Sequence, residues 1–140
     1  MPSWSIGYPK KERIEVELLS PSADDCGYDW VRACAHVSVG GFRADIQMMI
    51  LAGDMRRFLE ALEPVYRDLR GVAEFTTLED QLRLKVEVDH VGHVRVTGHV
   101  KDQAGLGNRL NLEVTFDQTL LWHTVSELSE ALSELQGNKR

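Results

Sequence analysis

Apolar residues alternate with polar ones along seven short stretches and recur at helical spacing along two longer ones. "IEVELL" sets Ile14, Val16 and Leu18 against Glu15 and Glu17, the signature of a half-buried strand. The turn formers of "PSADDCGYD" predict a loop after it. "WVRACAHVSV" places Val31, Ala33, Ala35, Val37 and Val39 on one face, with Trp30, Arg32, Cys34 and His36 on the other. "GG" at 40–41 turns the chain into "FRADIQMMI", whose inward set is Phe42, Ala44, Ile46, Met48 and Ile50. A helix follows, with Asp54 as its cap and Met55, Phe58, Leu59, Leu62, Tyr66 and Leu69 as its apolar stripe. Pro64 predicts a kink or break in it, and Gly71 a stop.

The second half is more regular. "VAEFTTL" is a short strand, and "QLRLKVEV", "HVRVTGHV" and "LNLEVTF" are three longer ones. The Gly-rich "DQAGLGN" between the last two predicts an exposed, mobile loop. After "DQT", a final helix buries Leu121, Val125, Leu128, Leu132 and Leu135 and ends at Gly137. The expected fold is α+β: an antiparallel, meander-rich sheet of about six to seven strands with two helices on one face, in the order βββ–α–ββββ–α. Residues 1–12 read as an irregular segment, 137–140 as a frayed end, and the 140 residues together as one domain.

Composition narrows this picture by exclusion. A hydrophobic share of 43% and a charged share of 27% are those of a globular chain. The net charge of −6 argues against a nucleic-acid binder, whose affinity rests on cations neutralising phosphates. Cys26 and Cys34 carry no metal-binding spacing. The opening residues lack the apolar core of a signal peptide, and "MMILA" is too short to span a bilayer. The expectation is a cytoplasmic protein without membrane contact.

The densest candidate chemistry is "VDHVGHVRVTGHV", which holds three of the five histidines beside Asp89. Pairing the inward valines sets Val88 opposite Val94 and Val86 opposite Val96, with His90–Val91–Gly92 as a three-residue turn. Asp89 then faces His93, Glu87 faces Arg95, and Arg83 faces His99. His93 and His99 lie roughly 20 Å apart at about 3.3 Å per residue and cannot share an ion. No nucleophile elbow, phosphate loop or dinucleotide fingerprint is present. The residues therefore predict no catalytic centre, no metal and no cofactor. Trp122 reads as a core-closing residue and Trp30 as the aromatic on a polar face.

The stretch from "FLEALEPVYRDLRGVAEF" through "GHVRVTGHV" to "LNLEVTFDQTLLWHTVSELSEAL" resembles the WapI-type immunity proteins of bacterial polymorphic toxin systems. The resemblance covers roughly residues 42 to 132 and leaves the first forty unaligned. It implies a small cytoplasmic antitoxin that binds and blocks a cognate toxin without catalysis. The acidity would suit a basic toxin. Candidate partner-binding residues are Trp30, the sheet face of Arg83, Lys85, Glu87, Arg95, Thr97 and His99, and the acidic helix residues Glu127, Glu130 and Glu134. Two alternatives stand beside this reading. One is a ligand-binding or enzymatic domain with a pocket near His36, His93 or Trp30, and the other is a homo-oligomer, such as a homodimer, built through an exposed strand edge or the face bearing Trp30.

Overall fold

The structure is a computed structural model that describes residues 2–21 and 30–137. Eight strands form two antiparallel four-stranded sheets, each followed by a helix. The first sheet holds β1 (Ser3–Gly7), β2 (Arg13–Pro21), β3 (Trp30–Val39) and β4 (Phe42–Leu51), in that spatial order, and leads into α1 (Ala52–Asp68). The second holds β5 (Gly71–Phe75), β6 (Leu82–Val88), β7 (His93–Lys101) and β8 (Arg109–Asp117), then a single 3-10 turn (Gln118–Leu120) and α2 (Leu121–Gly137). The α+β class stands as expected. The order is ββββ–α–ββββ–α, and the strands divide between two sheets instead of sharing one. The loop expected around Cys26 falls on residues 22–29, outside those described, as do residues 138–140.

The additional strand lies where the sequence suggested an irregular segment. β1 pairs antiparallel with β2, Trp4 opposite Val16 and Ile6 opposite Ile14. At five residues, holding only two inward apolar positions, it is too short for alternation to reveal. Trp4 nevertheless sits at the centre of the core, fully buried, its ring 5.6 Å from Phe58 and 5.3 Å from Phe75, while those two rings lie 5.5 Å apart. The three tilted rings tie β1, α1 and β5 together, and each buried phenylalanine is worth about 1.5–3 kcal/mol.

The helices are exchanged between the halves. α1 packs against β5 and α2 against β1, and the two helices lie on one another. Thr124 donates its hydroxyl to the Ser5 carbonyl at 2.7 Å, and Glu127 accepts from the Ser5 N–H at 2.9 Å and its Oγ at 3.0 Å. α2 therefore satisfies backbone groups of β1 that no strand pairs.

Helix limits differ from the sequence expectation in instructive ways. Leu51 is the N-cap residue of α1, and Asp54 is the third helical residue, accepting the Leu51 N–H at 2.8 Å. The carboxylate supports the helix start from inside it. The helix runs on through Pro64 without a break. The carbonyl that Pro64 cannot serve belongs to Glu60 on the exposed side, where water can take the bond. It stops at Leu69, in the left-handed region at φ 55°, two residues before Gly71. Val65 continues the buried stripe, while Tyr66 and Leu69 face solvent.

The hairpins follow the expected registers. Val88 pairs with Val94 and Val86 with Val96, and Gly92 supplies the φ of 90° that its turn position requires. Val39 pairs with Phe42 across the Gly40–Gly41 turn. The inward row of β3 is buried throughout, but that of β4 is buried only at Met48 and Ile50. Phe42, expected inside, is 64% exposed. It lies at the strand end beside the Gly40–Gly41 turn, at the open end of a row that is covered only from Met48 onward.

Candidate partner interface

The outer face of the second sheet collects most of the residues nominated from sequence. Arg83, Lys85 and Glu87 on β6 stand beside Arg95, Thr97 and His99 on β7, with Arg83 paired to His99 and Glu87 to Arg95. Register alone did not determine the ion pairs. Arg95 directs its guanidinium to Glu113 on β8, and Lys85 lies 3.7 Å from Glu87 along its own strand. These are exposed pairs in high dielectric, worth about 0–1 kcal/mol each.

His99 is buried, unlike its neighbours on the face. It shares the face with Arg95 and Thr97 but is only 4% exposed, its Nε2 lying 3.2 Å from Asp80 Oδ1 and 3.3 Å from the Asp80 carbonyl. The β5–β6 connection folds over it, an arrangement that strand alternation does not encode. Burial tends to raise the Asp80 carboxyl, yet the Lys101 ammonium at 3.2 Å and the His99 ring outweigh it and hold the group low. His99 thus fastens a connection.

At the turn, Asp89 accepts backbone N–H groups of His93 and Val91 at 2.9 Å each, and these hold its carboxyl below the usual range. His93 Nδ1 is 3.5 Å from the same carboxylate. A depression of about 380 Å³ bounded by Glu87, Asp89, His93 and Arg95 lies over this turn. Its carboxylates are engaged with backbone N–H groups or cations, which leaves the arrangement suited to surface contact. Among the described residues, no group of three or more His, Cys, Asp or Glu side chains converges to hold a metal ion.

The remaining nominated residues lie elsewhere. Trp30 is half-buried on β3 of the first sheet, opposite Leu51. On α2, Glu127 is engaged by Ser5, whereas Glu130 and Glu134 are exposed. Two features escaped the sequence reading. Trp122, expected in the core, is 48% exposed and stacks on His123 with ring centroids 4.0 Å apart. His36, on the outer face of the first sheet, has Nδ1 2.6 Å from Asp45 and Nε2 3.0 Å from Glu17. Hydrogen bonding to Asp45 first, and to Glu17 second, raises its pKa and favours the doubly protonated ring. Burial, with Asp45 and Glu17 nearby, pushes the Cys34 thiol up as well. The Gly40–Gly41 turn fixes the register that sets His36 opposite Asp45, so that pair was accessible from sequence.

Comparison with known proteins decides the family. The model of the immunity protein WapI-like family matches residues 5–136. The chain belongs to that family. The WapI-like match takes in β1 from Ser5 and all of β2 to β4 as well as the second half, so the part of the first forty residues from Ser5 onward belongs to the family's pattern. A search of curated proteins finds no match. Among solved structures, the one described as crystal structures of Trypanosoma bruciei MRP1/MRP2 is similar, with a TM-score of 0.53 and 15% identity over 99% of this chain and 88% of that one. At that identity the likeness concerns the fold alone. No helix among the described residues of this WapI-like chain is long and apolar enough to cross a membrane.

Proposed function

We propose that this protein is a bacterial immunity protein that acts in the cytoplasm, neutralising a cognate toxin by binding it directly and without catalysis. The observation that carries the reading is the WapI-like match over residues 5–136, which spans both sheets and both helices. Its outer sheet face supports it: Arg83, Lys85 and Arg95 project from rigid strands as an ordered array of charges. An array on strands binds with little ordering cost, because the backbone is already fixed. The net charge of −6 adds long-range attraction for a basic region of a partner.

The test is co-expression with the toxin domain encoded in the neighbouring gene. The expected outcome is survival of the toxin-expressing host and co-purification of a stoichiometric complex. Growth arrest despite soluble immunity protein, together with no complex in vitro, overturns the reading.

A further inference from the structure

The row of β4 that its own fold leaves uncovered faces a cleft of about 270 Å³ between the starts of β4 and β8. Phe42, Ala44 and Ile46 line one wall, and Val100 and Leu110 the other. Two arginines stand at its rim, Arg43 on β4 and Arg109 on β8. Arg109 also borders the next depression, where it meets Arg83 and Lys85. Arg43, Arg83 and Arg109 have no carboxylate partner among the described residues, although the chain as a whole is acidic. The carboxylate at the rim, Asp102, is occupied by the Asn108 N–H at 2.8 Å and side-chain amide at 3.1 Å.

The backbone beside the cleft is open in the same place. β4 is the last strand of its sheet, so one of its edges has no strand partner. Gln81, from the β5–β6 connection, donates to the Gln47 carbonyl at 3.3 Å and so occupies that one position of the edge. Gln47 therefore turns its polar groups outward, and the alternation of a strand turns those of Asp45 and Arg43 the same way. An apolar row and an unpaired edge coincide over Phe42–Ile46, beside arginines that have no carboxylate partner among the described residues.

We infer that this cleft and edge are the seat of the partner, occupied by an extended segment of the toxin that adds to β4 as a fifth strand. The inference rests on the immunity reading above. The segment pairs its backbone with Arg43 and Asp45, places an apolar side chain over Phe42 and Ile46, and presents carboxylates to Arg43 and Arg109. Main-chain pairing supplies affinity in such strand addition, and the alternate side chains supply specificity. An acidic, apolar segment is thus required locally, even though overall charge favours a basic partner. The arginine pair at the rim would reject a lysine-rich strand.

The experiment measures binding of the neighbouring gene's toxin domain to the full chain by calorimetry, with backbone amide exchange on the complex. Phe42→Asp should weaken binding by about 30-fold or more, as for a central anchor. Arg43→Glu and Arg109→Glu should each weaken it by about 10-fold. Glu63→Gln on the exposed side of α1 should leave it unchanged, and binding should slow exchange at the Arg43 and Asp45 amides. Because Phe42 is exposed, thermal unfolding of Phe42→Asp should match that of the parent, which separates lost contact from lost fold. Tight binding of the parent with unaltered affinity in Phe42→Asp overturns the cleft as the seat and leaves the immunity reading standing. No binding by the parent removes the immunity reading itself. A toxin-free dimer that Phe42→Asp dissociates, seen by light scattering, would assign the edge to a second copy and overturn the inference.

Discussion

β4 and β8 are built alike and finished differently. Each is the fourth strand of an antiparallel meander, and each leads toward a helix. In β8, Leu112, Val114 and Phe116 are all buried, and Tyr8 from the β1–β2 turn closes the end, its ring 6.4 Å from Phe116. In β4 the corresponding row is covered only at Met48 and Ile50, and Phe42, Ala44 and Ile46 remain partly or largely open. Alternation thus identifies which side of a strand is apolar. Whether anything lies upon that side depends on elements distant in sequence.

The sharpest way to break this comparison is to truncate one phenylalanine in each strand. Phe116→Ala should cost about 3–5 kcal/mol in urea unfolding, as a full-size core deletion does, while Phe42→Ala should cost less than about 1 kcal/mol. Equal losses would mean that the β4 row is covered in solution after all.

A smaller effect separates the two kinds of glutamate on α2. Glu127→Ala leaves the Ser5 N–H and hydroxyl without their acceptor, a loss of about 1–3 kcal/mol for partly buried donors. Glu130→Ala should stay within about 0.5 kcal/mol, as exposed substitutions usually do. If the two variants unfold at the same urea concentration, α2 does not fasten β1 in the way described.

The smallest effect concerns the outer faces of the sheets. The raised pKa of His36 makes its ion pairs with Asp45 and Glu17 fully stabilising below about pH 6.5, the ordinary histidine value, and that contribution is lost as pH rises through the folded value. The other sheet carries a cross-strand pair of Arg95 and Glu113, which contains no histidine. Unfolding midpoints measured from pH 5.5 to pH 9 should decline less steeply in His36→Gln than in the parent. Parallel profiles would remove the histidine from the stability of the first sheet.

The sequence revealed local order well and coverage poorly, for one physical reason. The β6–β7 register could be read because a row of valines and a glycine turn over-determine it. The inward face of β3 was equally plain. β1 was missed because its evident hydrophobes, Trp4 and Ile6, are too few to show a period. His99 was placed on the correct face but its burial was not foreseen, since the cover comes from Asp80 in another connection. Trp122 and Phe42 failed in the opposite sense, being apolar side chains that no neighbour encloses. The partition into two sheets also left no local mark, because the second ββββα unit repeats the first in topology without repeating its residues.

The exchange of helices between halves has a consequence for how the chain comes into being. β1 precedes α2 by most of this sequence, and the side chains that satisfy its Ser5 backbone, Thr124 and Glu127, are separated from it by 119 and 122 positions. A nascent chain bearing only the first sheet and α1 exposes an unfinished edge and an aromatic cluster that lacks one of its three rings, since Phe75 arrives with β5. Closing so long a loop is slow compared with making a hairpin. The first strand is therefore protected only in a chain long enough to bring α2 back beside it.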